Sequence, residues 1–137
     1  MKLFLEIITP IKIVLQEEVD EITIPTSEGE ISILPNHVNL LTKITPGEMV
    51  IKHNGKIEPF AVLGGFLEVI NNRVNILADH AIRASDIEIA KAQEAEERAR
   101  HAMRNKQSEN DFRLADADLK KALLELKVAR RHRSVKS

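Results

Sequence analysis

The stretch that decides the fold is "RVNILADHAIRASDIEIAKAQEAEERA", residues 73–99, because the hydrophobic period changes inside it. "RVNILA" alternates with period two, as a half-buried strand does. From Ser85 onward about 20 residues lack Gly and Pro and are rich in Ala, Glu, Arg and Lys, all strong helix formers. "SDIE", residues 85–88, has the form of a capping box. The Ser85 hydroxyl can accept from the Glu88 amide while the Glu88 carboxylate reaches back to the Ser85 amide. A helix is therefore predicted to start at Ser85, dividing the chain into a β part, 1–84, and a helical part, 85–137.

Upstream of that junction the sequence reads as eight to ten short strands separated by turn signals, the pattern of an all-β sandwich or barrel. "LFLEIIT" sets Leu3, Leu5 and Ile7 on one face before Pro10 stops it, and "IKIVL" follows. "EITIPT" and "ISIL" place Ile22, Ile24, Ile31 and Ile33 toward a core. Pro46-Gly47 turns into "EMVIKH", Asn54-Gly55 is a strong hairpin signal, and Asn71-Asn72 separates "FLEVI" from "RVNILA". Gly64-Gly65 points to a bulge or a close backbone approach rather than a phosphate loop, since no Lys-Ser/Thr follows.

Downstream, Ala92, Ala95, Ala99 and Ala102 form a narrow stripe of small side chains that lets another helix come close. After the polar turn "NKQSEN", Phe112, Ala115, Leu119, Ala122, Leu123 and Leu126 form a second stripe, so the economical reading is an antiparallel helical hairpin. Alanines bury little apolar area, at roughly 25 cal/mol per Å². The hairpin is accordingly expected to be a mobile appendage.

The net charge of −1 hides an asymmetry. Residues 1–84 carry 7 Lys/Arg against 11 Asp/Glu, whereas residues 85–137 carry 13 against 10. Lys120, Lys121, Lys127, Arg130, Arg131, Arg133 and Lys136 crowd the end of the chain. With no Tyr or Trp and only four Phe, stacking platforms for nucleic acid are poorly supplied, which leaves a solvated helix end or an acidic protein partner; seven cations exceed what one helix terminus needs, and the surplus points to the partner. There is no cysteine, hence neither a disulfide framework nor a thiolate nucleophile. No window has the length of a signal peptide or a membrane span, so any membrane association is expected to pass through other chains.

Catalytic patterns are sparse. His37, His53, His80, His101 and His132 form no paired ligand spacing, and no metal site is expected. Asp79-His80 lacks a serine elbow to complete a triad. Glu17, Glu18, Asp20 and Glu21 are expected to coat a sheet face or an edge rather than share a proton. Glu94 with Arg98, and Glu96 with Arg100, stand at i,i+4 as ordinary helix-surface pairs.

Several segments together resemble the epsilon subunit of bacterial and chloroplast F-type ATP synthases. They are "ITP" near the start, "IPTSEGEISILPNH" in place of that family's Gly-x-x-x-Ile-x-Pro-x-His segment, "LGGFLEVINNRVNILAD", and "ASDIEIAKAQEAEERA". The resemblance covers essentially the whole chain in order. It implies an α+β protein: an N-terminal flattened β-sandwich of about ten strands, then a C-terminal antiparallel two-helix hairpin. It also implies a non-catalytic rotor subunit of the central stalk, without a cofactor, that couples the proton-driven c-ring and the gamma subunit to ATP synthesis.

By position in that family, Glu30 matches the residue facing the c-ring, and Thr9, His37 and Thr42 match positions facing gamma. The family's helices can extend into the catalytic head of alpha and beta subunits and inhibit ATP hydrolysis. Arg113, Lys120, Lys121, Lys127, Arg130 and Arg131 are the candidates for that contact. The implied location is peripheral, on the cytoplasmic side of the cell inner membrane, or at the thylakoid membrane in a plastid.

One departure stands out. Some members bind ATP through Ile/Leu-Asp-x-x-Arg-Ala; here Asp86 and Ala90 are kept, but Ile89 replaces the arginine. An isoleucine cannot make the planar charge-assisted bonds of a guanidinium, so ATP sensing is expected to be weak or absent. The alternative reading, a stand-alone nucleotide-sensing module, loses support for the same reason. A small hydrolase built on Asp79 and His80 lacks a nucleophile.

Overall fold

The computed structural model describes residues 2–136, and side chains as far as Ser134. It divides into two compact units, Met1–Arg83 and Ala84–Ser137. The first contains ten strands: β1 Leu3–Ile8, β2 Ile13–Val19, β3 Glu21–Thr26, β4 Gly29–Ile33, β5 Leu40–Ile44, β6 Gly47–His53, β7 Lys56–Val62, β8 Gly65–Ile70, β9 Arg73–Ala78 and β10 Ala81–Arg83. The second contains a 3-10 turn at Ala84–Asp86 and the helices α1 Ile89–Arg104 and α2 Glu109–Lys136.

The strands hydrogen-bond in the order β10-β7-β6-β3-β5-β8-β9-β1-β2, with β4 on the free side of β3. β3 makes the corner. Glu21–Thr23 pair with β6, while Thr26 at the other end pairs with Ile44 of β5. One strand edge thus serves two layers, and the sheet folds over until β2 comes into contact with β6. All pairings are antiparallel except β1 with β9, which run parallel from Phe4↔Arg73 to Ile8↔Leu77.

Between the layers lies one apolar core. Leu3, Leu5, Ile7, Ile22, Ile24 and Ile33 are buried as their alternation predicts, together with Met49, Ile51, Phe60, Leu67 and Ile76. Asn54 and Gly55 both have positive φ (50° and 78°), as do Asn71 and Asn72 (47° and 65°), the backbone of two-residue turns that match strand twist. Gly65 is a true close approach: a Cβ there would stand 2.0 Å from the carbonyl oxygen of Leu77 on the paired strand.

The helical unit departs from its predicted start. α1 begins at Ile89 rather than Ser85; Glu88 is its N-cap and makes no side-chain cap bond. Residues 84–86 form the 3-10 turn instead, closed by Ile87 N donating to Ala84 O at 3.2 Å. The helix stripes are also trimmed. Ala92 and Ala99 are buried, but Ala102 is exposed and Ala95 only half-buried. On α2, Ala115, Leu119, Ala122 and Leu126 are buried, whereas Phe112 and Leu123 are 36% and 40% exposed. Leu123 falls one step off the stripe, whose next buried member is Ala129. α2 takes its own cap, Ser108 Oγ accepting from Asp111 N at 3.1 Å.

Candidate interaction surfaces

The outer face of the layer β5-β8-β9-β1-β2 is banded in register. One row across it reads Lys43, Phe66, Leu77, Ile8 and Ile13. Phe66, Leu77 and Ile13 are 55%, 55% and 57% exposed. The next row, Leu41, Glu68, Asn75, Glu6 and Gln16, is polar apart from the exposed Leu41. In it Asn75 Nδ2 donates to Glu68 Oε1 at 3.0 Å, and Gln16 Nε2 donates to Glu6 Oε2. The third row sets Ile70 beside Arg73, whose guanidinium lies 5.3 Å from the centre of the Phe4 ring. Strands β8, β9 and β1 beneath it are paired on both edges, so what the middle of this face offers a partner is side-chain area, while β2 is an edge strand. A contiguous exposed apolar band of this kind marks an interaction surface.

The strand register also sorts the loops between two ends of the sandwich. Ala78, Gly65, Ile44, Thr26 and Gly29 lie side by side across five strands, which places Glu30 and the turn after Ile8 at one end. There Thr9 N donates to Lys12 O at 2.9 Å, and the Thr9 hydroxyl accepts from the Lys12 amide at 3.3 Å, so the side chain is engaged in its own turn. Glu30 is exposed on β4, next to a turn in which buried Thr26 donates its hydroxyl to Gly29 O at 2.6 Å.

His37 is at the other end. Pro35 and Asn36 (φ 70°) form a turn closed by His37 N donating to Leu34 O at 3.1 Å. The loop is stapled to the Asn71-Asn72 turn through Asn36 N to Asn72 Oδ1 (2.6 Å) and Asn71 N to Asn39 Oδ1 (3.2 Å). His37 Nδ1 lies 2.7 Å from Val38 O, and the ring is half-buried. Glu30 and His37, seven residues apart in sequence, are thus carried to opposite ends of the sandwich. Thr42 points elsewhere: it pairs with buried Leu67 and is half-buried on the inner side of β5.

Of the acidic cluster, Asp20 does more than coat a surface. Lys2 Nζ donates to its Oδ1 at 2.5 Å, and Asn54 N donates to its Oδ2 at 2.9 Å. These bonds, the lysine first and the backbone amide second, hold the Asp20 carboxyl below the usual carboxylate range. Beside it, His53 Nδ1 is buried without a hydrogen-bond partner. Glu21 instead approaches Lys52 at 3.9 Å. Among the described residues no group of three His, Asp or Glu is placed to hold a metal ion. Asp79 and His80 serve a turn through their backbones, Asp79 N donating to Gly64 O and His80 O accepting from Leu63 N, both at 3.0 Å.

In the helical unit the cations are ordered. Arg113, Lys120, Lys127 and Arg131 follow one another at spacings of seven, seven and four, which at 3.6 residues per turn brings them within about 40° on α2. All four are exposed, and the stripe runs on the side away from the buried Ala115, Leu119, Ala122 and Leu126. Lys121, half-buried, and Arg130, exposed, flank it. Lys120 pairs locally with Asp116 at 2.9 Å, as Arg100 does with Glu96 at 3.0 Å. The side chain of Lys136 lies outside the described residues. Asp86 is exposed at the end of the 3-10 turn, Ile89 opens α1 half-buried, and Ala90 is exposed behind it.

Residues 2–84 match the family described as the beta-sandwich domain of the ATP synthase delta/epsilon chain. The match extends through the helices in whole-length relatives. The ATP synthase epsilon chain of Herpetosiphon aurantiacus is 45% identical over 98% of both chains. The chain belongs to the ATP synthase epsilon-chain family. The epsilon chain of Chloroflexus aggregans is likewise 45% identical, over 97% of this chain and 96% of its own. Among solved structures, a chain of the Euglena gracilis mitochondrial ATP synthase, in its OSCP/F1/c-ring assembly, superposes with a TM-score of 0.76 at 27% identity, covering 93% of this chain and 81% of that one.

Two surfaces of this epsilon-family chain were missed by reading the sequence. The apolar band had a signal, since "GFLEVI" carries apolar residues at both parities, more than a one-sided strand needs. The Asp20 clasp had none, because it joins three separate turns and termini.

Proposed function

We propose that this chain is a non-catalytic subunit of the central stalk of an F-type ATP synthase, transmitting rotation between a proton-driven membrane ring and a catalytic head. The observation that carries the proposal is the exposed apolar band Phe66-Leu77-Ile8-Ile13, which crosses β8, β9 and β1, each paired on both edges, and ends on the edge strand β2. Such a face is suited to a permanent partner, and the gamma subunit is that partner. Glu30, at the far end of the sandwich from His37, is the contact to the c-ring; Thr9, His37 and Thr42 are the positions assigned to gamma. Because Thr9 and Thr42 are engaged within the sandwich, they act by shaping the docking surface.

The helical unit is the brake. Its ordered cationic stripe, Arg113, Lys120, Lys127 and Arg131 with Lys121 and Arg130 beside it, meets acidic segments of the beta subunits and slows ATP hydrolysis. Attachment to the membrane passes through the complex; no helix among the described residues is long and apolar enough to cross a bilayer.

Reconstitution tests the proposal directly. The chain should co-purify with gamma and the alpha and beta subunits, and truncation after Ala84 should keep that association while raising ATP hydrolysis. Failure to co-purify refutes the rotor role, and unchanged hydrolysis on truncation refutes the brake. Micromolar ATP binding to the isolated chain in a calorimetric titration would favour a nucleotide-sensing module instead.

A further inference from the structure

The buried stripe of α2 advances by alternating steps of four and three through Ala115, Leu119, Ala122, Leu126 and Ala129, and its next position is Arg133. α1 has 16 residues and α2 has 28, so antiparallel pairing from their shared turn uses up α1 before α2 is finished. Past that point the segment ahead of α1 takes over. Arg133 Nη2 donates to the carbonyl oxygen of buried Ile87 at 2.7 Å. That carbonyl lies just upstream of the helix, whose first bond is Ala92 N to Glu88 O at 3.0 Å. A cation therefore stands where the stripe otherwise carries alanine or leucine, on a main-chain acceptor that α1 leaves free.

The same segment carries a capping box that the structure does not use. Glu88 is extended, φ −91° and ψ 108°, and makes no cap bond. Extending α1 back to Ser85 would turn the Glu88 ψ to about −42°, a rotation of about 150°. That rotation swings Ile87 away from Arg133. The bond to Arg133 and the capped helix exclude each other, and a local preference overridden in this way is characteristic of a functional site.

We propose that Arg133 is a latch on the helical unit. Engaged, it holds residues 84–88 out of the helix and clasps the open end of the hairpin; released, it lets Ser85–Glu88 join α1 under their own capping box and frees the end of α2. The hairpin's alanine seam resists opening only weakly, so this one charge-assisted bond sets a large share of the balance. Its consequence for ATP hydrolysis rests on the braking role proposed above, the latched hairpin being the form that does not brake.

The test uses the full-length chain with Arg133→Ala. The Cα chemical shifts of residues 86–88 should move to helical values, and amide exchange at Ala92–Ala99 should accelerate about tenfold or more, the expected effect of losing one hydrogen bond to a charged group. Adding Ser85→Ala and Glu88→Ala should abolish the helical shifts while leaving the faster exchange. The amides of residues 3–83 report in the same spectra that the variant is folded. Unchanged shifts at 86–88 together with unchanged exchange overturn the latch. In the assembled ATP synthase, Arg133→Ala should lower hydrolysis; altered spectra with unaltered hydrolysis would uphold the latch and count against the brake.

Discussion

Phe66 and Leu67 are neighbours on β8 that face opposite ways, and the proposed docking surface stands or falls on the difference between them. Leu67 is fully buried in the core, and Phe66 is 55% exposed on the outer band. Truncating buried Leu67 to Ala should destabilise the fold by about 2–5 kcal/mol through lost transfer energy and the cavity left behind. Phe66→Ser removes a side chain whose exposed part, taking about 200 Å² for a phenylalanine, is roughly 110 Å². At roughly 25 cal/mol per Å² its burial by gamma is worth about 3 kcal/mol, or a hundredfold in affinity. The free chain has little to lose from that change, within about 0.5 kcal/mol as for other surface positions. Urea midpoints of the free chain give the stability arm, and titration of a labelled chain with a complex of gamma, alpha and beta gives the binding arm. The expected result is a crossed pattern: Leu67→Ala lowers the midpoint, and Phe66→Ser leaves the midpoint but weakens binding. Undiminished binding by Phe66→Ser would refute the assignment of this face.

Gly65→Ala should cost about 3–5 kcal/mol, from the φ of 127° plus a methyl 2.0 Å from the Leu77 carbonyl oxygen that forces the β8-β9 ladder apart. Gly29→Ala, with φ 102° and open space around it, should cost only the strain, about 1–3 kcal/mol, so equal urea midpoints for the two variants would contradict the close approach. For Asp20 the folded carboxyl sits below the ordinary value of about 3.9, so its contribution is full above that value and disappears as pH falls through the lower folded value. Asp20→Asn should therefore lower the midpoint by a constant amount from pH 7 to about 5, and the gap should narrow as acid takes the pH below the ordinary carboxylate range; a gap that widened on acidification would be the wrong outcome. Reversing Lys127 and Arg131 to Glu should raise hydrolysis by the assembled complex, more at low salt than above physiological ionic strength, where the Debye length is about 8 Å. A salt-independent response would mean that the stripe does not act through charge.

Most of the β strands could be read because they bury one face, and Leu3-Leu5-Ile7 or Ile22-Ile24 can meet a core only by alternating. The parallel pairing of β1 with β9 could not, since nothing local in residues 3–8 refers to residues 73–78. The helix start was misplaced for a physical reason: the Ser85-Glu88 box describes what the segment prefers alone, and Arg133, 46 positions away, offers its carbonyl something different. The cations of α2 were visible as a crowd. Separating Arg133 from Arg113, Lys120, Lys127 and Arg131 required knowing where α1 runs out. Glu30 and His37 sit close together in sequence, and only strand register shows that β4 and the turn after it set them at opposite ends.

The lone parallel pair also governs how the domain is made. β1 lies between β2 and β9, so its hydrogen bonding is half complete until residues 73–78 have been synthesised. At about 5–20 residues per second, a ribosome leaves the β1-β2 hairpin waiting for several seconds with one flank open. Pairing across so long a stretch of chain is slow, because the loop must close before any contact rewards it. A strand edge left open in this way is a place where nascent chains stick to one another. Glu6 and Glu18, on the outer face of that hairpin, keep it charged during the wait. The helical unit is synthesised last, when the β1-β9 seam has only just closed.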